Sequence, residues 1–254
     1  YIASDSFLPQ IIGGLLDVTK QHSQGLLLEW VEPGQQLETY LELTRSHHID
    51  GMILMTPRLD DTGLKALEEA DIPVVLMGHI PGSRLHSVDV DNRAAAEMAV
   101  RHLVDLGHTK IACIINAARP YTSASQRLEG YKQALEQALL GYNEYLVREA
   151  DFDIKSGFLQ MNSLLDSSEE FTAVFLASDN VAVGAYAALR DAGLSVPGDI
   201  SVVGFDDIPL TPFMEPPLTT IRMPAREIAQ QSYHLLMRLM KRDYPQNPEV
   251  LLPT

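Results

Sequence analysis

Two carboxylates at the end of an apolar run are well placed for ligand chemistry. Asp206 and Asp207 follow residues 201–205 (SVVGF), whose β-branched side chains predict a strand. In open α/β sheets, ligands bind outside the carboxyl ends of parallel strands. The pair therefore predicts a ligand site at this edge of a sheet.

Three more residues are expected at the carboxyl ends of strands or in the loops that follow. Phe7 follows a predicted first strand, Arg127 begins a helical stretch after a polar loop, and Phe152 lies between a strand and a helix. An arginine and an aspartate can hold neighbouring hydroxyl groups by charge-assisted hydrogen bonds, and an aromatic ring can stack on a sugar or a base. Taken alone, Arg127 fits a surface arginine better, and Phe152 fits a core residue better.

Catalytic and metal-binding motifs are absent from the sequence. There is no GxGxxG after a strand, no GxxxxGK[ST], no GxSxG and no HExxH, and no nucleophile has an obvious base. His47, His48 and Asp50 could be imagined as metal ligands, but a helix C-terminus, where histidine meets the dipole favourably, explains them better. We therefore expect a binding protein with no catalytic residues, metal or cofactor.

Composition narrows the class of protein further. The 254 residues, 46% hydrophobic and 21% charged, suit a soluble protein of one large or two modest domains. A net charge of −15 repels phosphate backbones, so this chain alone is not expected to bind nucleic acid. No membrane span or signal peptide is visible. The single Cys113 lies in an apolar run and is expected to be a buried thiol, which fits a cytoplasmic protein.

Short aliphatic runs alternate with amphipathic stretches along the chain. Strands are predicted at 26–31, 52–55, 74–77, 87–90, 110–115, near 146, and at 173–176, 201–205 and 219–221. Helices are predicted at 11–22, 37–47, 62–70, 92–106, 125–139, 154–165, 180–192 and 225–241. Strands that are apolar on both faces and separated by helices predict an α/β fold with parallel sheets. Because the pattern restarts, two sheets fit better than one.

The charged strand at 87–91 (SVDVD) leaves two interpretations open. It fits a segment that crosses between two sheets, with carboxylates beside a cleft. It equally fits an ordinary sheet edge protected by charge.

Several segments carry a resemblance to a known family. They are IDGMIL (49–54), IPVVLMG (72–78), SVDVDNRAAAEMAVRHLVDLGHTKIACI (87–114), QRLEGYKQAL (126–135), the long block from 171 to 224, and the final LLPT. Together they resemble the effector-binding core of the lactose/galactose repressor family of bacterial transcription regulators. The similarity spans nearly the whole chain, and the block 171–224 is its most specific part.

The resemblance implies two doubly wound, parallel-sheet subdomains of the periplasmic-binding-protein type with a ligand cleft between them. The first would comprise residues 1–91 plus 222–252 and the second residues 92–221. It also implies a set of ligand-binding positions: Phe7, Leu8, His79, Asp91, Tyr121, Ser123, Arg127, Phe152, Ser178, Asn180 and Asp206. Arg127 and Asp206 match the family's polar clamp, and Phe152 matches its aromatic platform.

The implied function is ligand-dependent control of transcription. A small effector, most simply a sugar or sugar derivative, would move the subdomains of a homodimer and so change its affinity for operator DNA. The DNA-binding helix-turn-helix headpiece would precede Tyr1. Tyr121 stands where the purine-binding member of the family has a second arginine, which disfavours a purine. The alternative is a periplasmic sugar-binding protein of a transport system, which shares the fold.

Overall fold

The computed structural model describes residues 6–46, 48–69 and 72–254. Within these ranges the strands are β1 Met52–Met55, β2 Val74–Met77, β3 His86–Val90, β4 Ile111–Ile115, β5 Val147–Glu149, β6 Ala173–Leu176, β7 Ser201–Asp206, β8 Thr219–Arg222 and β9 Glu249–Leu252. The helices are α1 Leu8–Gln21, α2 Gln36–Arg45, α3 Leu64–Glu69, α4 Asn92–Asp105, α5 Thr122–Gln137, α6 Ile154–Leu165, α7 Asp179–Asp191 and α8 Ala225–Met240.

The strands form two separate parallel sheets, as the restarting pattern predicts. The first has the order β1-β2-β3-β9 and the second the order β5-β4-β6-β7-β8. The chain leaves the first sheet after β3, enters α4, and returns after β8 through α8, which packs on β1, β2 and β3. The α/β fold with two parallel sheets is therefore confirmed, whereas the limits proposed for the subdomains stay a prediction.

The second sheet is buried on both faces, which explains its aliphatic strands. Along β4, Ile111, Cys113 and Ile115 join one core cluster with α4 and α5, while Ala112 and Ile114 join another with α6 and α7. This alternation places a helix layer on each face of the sheet. Cys113 is fully buried, and burial raises the pKa of its thiol.

Glycines let the covering helices approach each other closely. A Cβ atom at Gly184 of α7 would lie 1.9 Å from the carbonyl oxygen of Ile154, and one at Gly157 of α6 would lie 2.2 Å from that of Val181. Only residues without a side chain fit at these two positions, so α6 and α7 are held in one packing arrangement.

The strand predicted at 26–31 is wrong. This segment has no regular secondary structure, and Leu27 and Trp30 are 59% and 57% exposed. An aliphatic run forms a strand only where a neighbouring strand accepts its hydrogen bonds, and β1 pairs only with β2 among the described residues. The strand expected before Phe7 and the side chain of His47 lie outside the described residues.

The carboxyl-terminal strand was missed by the sequence analysis. β9 pairs with β3 in parallel register, with Asp89 opposite Leu251. β3 therefore lies inside the first sheet between β2 and β9, and the interpretation of 87–91 as a sheet edge is wrong.

Candidate functional site

Arg127 is a buried arginine at the meeting point of the two sheets. Its side chain projects from α5 and is 4% exposed. Nε donates to Asn92 Oδ1 at 2.9 Å, and Nη1 donates to the Ala177 carbonyl oxygen at 2.6 Å and lies 3.5 Å from Asp206 Oδ1. The guanidinium also lies 3.7 Å from the ring centroid of Phe205. The structure thus brings Arg127 and Asp206 together, and Arg127 is not the surface arginine that its sequence position alone favours.

Asp89 extends this network into the first sheet. The Nδ2 group of Asn92 donates to both carboxylate oxygens of Asp89 at 3.1 Å, while Asn92 Oδ1 accepts from Arg127. We call the first sheet with α1, α2, α3 and α8 the first unit, and the second sheet with α4 to α7 the second unit. Asp89 belongs to β3 of the first unit, whereas Arg127 and Asp206 belong to the second unit. A continuous chain of buried polar contacts therefore joins the two sheets.

Asp179 is the third carboxylate of the site. An aspartate at the start of a helical pattern favours a helix cap, but Asp179 does not cap α7, because the N-cap residue is Ser178. Instead, Oδ1 of Asp179 accepts from Thr220 Oγ1 at 2.7 Å and Oδ2 accepts from the Ile208 amide at 3.1 Å. A Cβ atom at Gly204 would lie 2.2 Å from Oδ1, so this glycine makes room for the carboxylate above β7.

Burial sets the protonation of these groups. Loss of solvation raises the pKa of Asp179 to about 8, with repulsion from Asp206 adding to the effect. Loss of solvation raises the pKa of Asp89 to about 6, although Arg127 and the hydrogen bonds of Asn92 act in the opposite direction. Burial also lowers the pKa of Arg127, opposed first by Asp206. At neutral pH Asp179 is therefore mainly protonated, and Asp89 and Asp206 face the single cation Arg127, so the site has no positive charge to spare for an anion.

An aromatic pair lies beside the polar network. The rings of Tyr121 and Phe152 meet edge to face, with centroids 5.1 Å apart and planes at 85°. Phe152 has a φ of 59° and is held in this left-handed conformation by its amide, which donates to the Asn116 carbonyl oxygen at 2.7 Å. The guanidinium of Arg58 lies over the Tyr121 ring, 4.6 Å from its centroid.

The loop after β1 touches the second unit directly. The Leu59 amide donates to the Pro120 carbonyl oxygen at 2.7 Å, and the Thr122 amide donates to that of Pro57 at 3.1 Å. Arg58 and Tyr121 form an antiparallel bridge between these bonds. The loop 56–61 therefore fastens the first unit to the start of α5.

The remaining predicted positions divide into two groups. Phe7 is the N-cap of α1 and Leu8 its first residue, and both are partly buried. The amide of Ser6 donates to Oδ1 of buried Asn180 at 3.4 Å, which places the start of α1 beside the start of α7 and Ser178. These four predicted residues lie together at the junction between the units.

His79, Asp91 and Ser123 have partners within the chain. His79 Nδ1 lies 3.5 Å from a carboxylate oxygen of Glu249, and Asp91 caps α4 by accepting from the Ala94 amide at 2.9 Å. Ser123 Oγ accepts from Asn116 Nδ2 at 3.1 Å. A direct role of these three in ligand binding stays a prediction.

Sequence reasoning missed part of this site. Asp89 was noticed only as part of a charged strand and Asn92 only as the start of a predicted helix, and Arg58 and Asn116 were not singled out. The alternating carboxylates of SVDVD were a signal for Asp89. Arg58 is a single arginine in a loop and Asn116 a single asparagine after a strand, and neither pattern indicates a binding residue.

A surface hollow lies away from this site. It measures about 410 Å³ and is lined by residues such as Lys110, Asn143, Glu169 and Glu170. Lys110 pairs with Glu170 at 2.5 Å and Asn143 donates to Glu169 at 2.6 Å, so these polar groups already satisfy one another. In the described part of the chain there is no cluster of three or more His, Cys, Asp or Glu residues suited to a metal ion, and no helix long and apolar enough to cross a membrane.

Comparison with known proteins identifies the family. Residues 100–254 match the model of a periplasmic binding protein-like domain. The chain is 35% identical over 241 residues to the HTH-type transcriptional repressor CytR of Escherichia coli K12, which covers 93% of this chain and 70% of that protein. This chain belongs to the lactose/galactose repressor family of transcriptional regulators.

Solved structures of the lactose/galactose repressor family agree with this assignment. A complex of the transcriptional regulator CelR with cellobiose superposes with a TM-score of 0.90, at 30% identity, and covers 99% of this chain and 77% of that one. A LacI-family regulator from Enterococcus faecium with bound ribose gives 0.84 at 27% identity, covering 98% and 91%. The predicted class, a ligand-sensing transcriptional regulator, is confirmed, and the comparisons favour it over a transport protein.

Proposed function

We propose that this chain senses a small uncharged sugar or sugar derivative at the junction of its two sheets. The observation that carries the proposal is the continuous network Asp89–Asn92–Arg127–Asp206, because it spans both sheets. A hydroxyl-bearing ligand that replaces one of these bonds changes how the two units are joined. Binding and movement are thereby coupled through the same side chains.

The charges of the network favour an uncharged ligand. Asp89, Asp179 and Asp206 surround a single guanidinium, and all four side chains are buried. A phosphate or carboxylate would add negative charge to a site that already holds more carboxylates than cations. Neutral hydroxyl groups can instead donate to the carboxylates and accept from Arg127.

The aromatic pair supports a ring-shaped ligand. The partly buried Phe152, packed edge-on against Tyr121, offers an apolar surface next to these hydrogen-bonding groups. Such a combination suits a pyranose or furanose, which has apolar faces and a polar rim. The cellobiose and ribose complexes of the structural relatives are consistent with this chemistry.

Ligand-dependent DNA binding follows from the same coupling between ligand binding and movement of the two units. An effector shifts a conformational equilibrium only by its difference in affinity for the two arrangements. In a homodimer that carries DNA-binding segments, that difference would appear as a change of operator affinity. The relatives named as transcriptional repressors support this part of the proposal.

A thermal-shift screen tests the ligand class. The panel contains D-ribose, D-glucose, D-galactose and cellobiose, with glucose 6-phosphate and gluconate as anionic counterparts. A ligand at 100 times its dissociation constant adds about 2.7 kcal/mol to the free energy of unfolding. We expect a shift from at least one neutral sugar, lost in Phe152→Ala and kept in the exposed-aromatic control Tyr145→Ala. A shift from an anionic compound alone would overturn the proposed class.

The proposed control of operator binding has to be tested on the full-length protein. Titration onto operator DNA, with and without the sugar identified above, should show a sugar-dependent change in affinity. Sedimentation analysis of the same protein should give a dimer. Sugar binding without any effect on DNA binding would leave only the ligand-binding part of the proposal standing.

A further inference from the structure

Asn116 carries a buried acceptor that the fold leaves without a partner. It follows β4 and is 2% exposed. Among the buried side-chain nitrogen and oxygen atoms of the described residues, only Asn116 Oδ1 and Ser232 Oγ make no hydrogen bond. Such atoms are rare because each one costs about 1–3 kcal/mol of desolvation. An unpaired amide oxygen beside a candidate binding site is therefore best explained as a group that bonds to a ligand.

The rest of Asn116 is firmly held by residues of the candidate site. Its Nδ2 group donates to Ser123 Oγ at 3.1 Å, and its carbonyl oxygen accepts from the Phe152 amide at 2.7 Å. Ser123 and Phe152 are two of the predicted ligand-binding residues. Asn116 is thus placed between the polar start of α5 and the aromatic platform.

Hydrogen-bond donors lie next to this acceptor. α5 begins at Thr122, and its N-cap residue Tyr121 gives no side-chain hydrogen bond to the amides of the first turn. The N-terminus of this 16-residue helix has partial positive charge. The Thr122 amide already donates to the Pro57 carbonyl oxygen, but the next two amides, those of Ser123 and Ala124, have no helical carbonyl one turn back and need acceptors. An acceptor and donors side by side match one chemical group in particular, an alcohol, which both donates and accepts.

We propose that Asn116 is an effector-binding residue whose Oδ1 accepts a hydrogen bond from a ligand hydroxyl seated at the start of α5. The inference rests on the proposed function, since it assumes that the effector occupies this junction. It adds a hydroxyl subsite distinct from the network around Arg127. Asn116 would thereby select sugars that have a free hydroxyl at one position over analogues that lack it.

Calorimetry on the folded chain tests the subsite. The probes are D-ribose, D-glucose, D-galactose and cellobiose, together with the monodeoxy analogues of whichever sugar binds most tightly. Asn116→Leu keeps the branched shape of the side chain and removes the acceptor together with the Nδ2 donor, and Asn116→Ala is the second variant if the larger leucine does not pack. Ser232→Ala is the matched control, because it removes the other unpaired buried atom, on α8.

The proposal expects weaker binding in the Asn116 variants only. A ligand hydroxyl left without its acceptor should lower affinity about 5- to 150-fold, whereas Ser232→Ala should leave affinity unchanged. One monodeoxy analogue should bind wild type and Asn116→Leu equally well, which identifies the hydroxyl. Unchanged sugar affinity in a folded Asn116 variant would overturn the proposal.

A second readout needs no ligand. Asn116→Leu removes the unpaired acceptor together with the hydrogen bond to Ser123, whereas Ser123→Ala removes that hydrogen bond alone. Without sugar, the urea midpoint of Asn116→Leu should therefore equal or exceed that of Ser123→Ala. If no panel sugar binds the wild-type chain, the proposed sugar function fails, and this midpoint alone decides the role of Asn116. A midpoint below that of Ser123→Ala in both Asn116 variants would then assign Asn116 a purely structural role and overturn the subsite.

Discussion

Replacing Arg127 with alanine should strongly destabilise the ligand-free protein. The guanidinium is 4% exposed and bonds to Asn92 Oδ1 and the Ala177 carbonyl oxygen, besides facing Asp206. Removing one member of a buried ion pair costs about 3–5 kcal/mol, because the remaining charge stays buried. That is a large share of the roughly 5–15 kcal/mol that stabilises a typical domain. We expect a loss of about 3–5 kcal/mol.

Urea unfolding followed by far-ultraviolet circular dichroism, without sugar, measures this loss. The matched control is Arg101→Ala, since Arg101 is an exposed arginine that pairs with Glu97 one helical turn away. Such surface pairs contribute about 0.3–0.5 kcal/mol, so the control should unfold almost like wild type. An equal and small effect of both substitutions would contradict the picture of Arg127 as the centre of a buried network.

A double-mutant cycle separates the ion pair from the rest. Arg127→Met and Asp206→Asn should each be costly alone, while the double variant should lose about 0.5–3 kcal/mol less than their sum, because neither charge is then left alone. Strict additivity would refute the coupling between Arg127 and Asp206. The cycle measures the contact between Arg127 Nη1 and Asp206 Oδ1, which are 3.5 Å apart.

Three further predictions concern single sites. Burial raises the pKa of Asp89 to about 6, so its contribution to the free energy of unfolding is fully present below pH 3.8 and is lost as the pH rises through 6. Between pH 4.5 and 7.5, Asp89→Asn should therefore gain about 2 kcal/mol of unfolding free energy relative to wild type. Urea unfolding at these two pH values measures the difference, and no gain would refute the pKa shift. Gly204→Ala should cost about 1–3 kcal/mol of unfolding free energy through a clash with the Asp179 carboxylate, while Gly141→Ala, which has open space, should cost nothing measurable. Arg58→Ala should raise hydrogen exchange of the Leu59 amide about 2- to 5-fold by loosening the loop from the second unit, and unchanged protection would show that the cation contributes nothing there.

Most of the secondary structure was predictable because it depends on local patterns. Fully apolar runs such as Val74–Met77 and Ala173–Leu176 predict buried parallel strands, and the structure confirms both. A glycine after a helical pattern is a local signal for the helix end, and Gly107 and Gly193 follow α4 and α7 with φ values of +94° and +76°, as left-handed helix ends require. The family could also be inferred from the sequence, since its motifs are contiguous segments.

Two strand predictions failed because pairing is not a local property. Residues 26–31 are as aliphatic as many strands, yet they have no regular structure, while Glu249–Leu252 is a strand because β3 lies beside it. Apolar character makes a segment suitable for a sheet. Whether it joins one depends on a neighbour that can be distant along the chain.

For the candidate site, the sequence by itself determined the residue types and the end of the sheet at which they lie. Phe152, Arg127 and Asp206 follow or adjoin strand ends, and in parallel sheets these ends share one edge. The fold class and the absence of catalytic motifs were likewise sequence properties. Tertiary structure alone decided which groups meet.

Arg127 contacts residues 35, 50 and 79 positions away in the chain, and its interaction with Asp206 exists only because α5 lies over the neighbouring strands. The same packing leaves Asn116 Oδ1 unpaired and raises the pKa values of Asp89 and Asp179. A side chain becomes buried, and finds its hydrogen-bond partners, when segments that are distant in the chain pack together and exclude water. The spacing of residues within one segment does not determine that packing, which is why the contacts of Arg127, the unpaired oxygen and the shifted pKa values could be seen only in the folded chain.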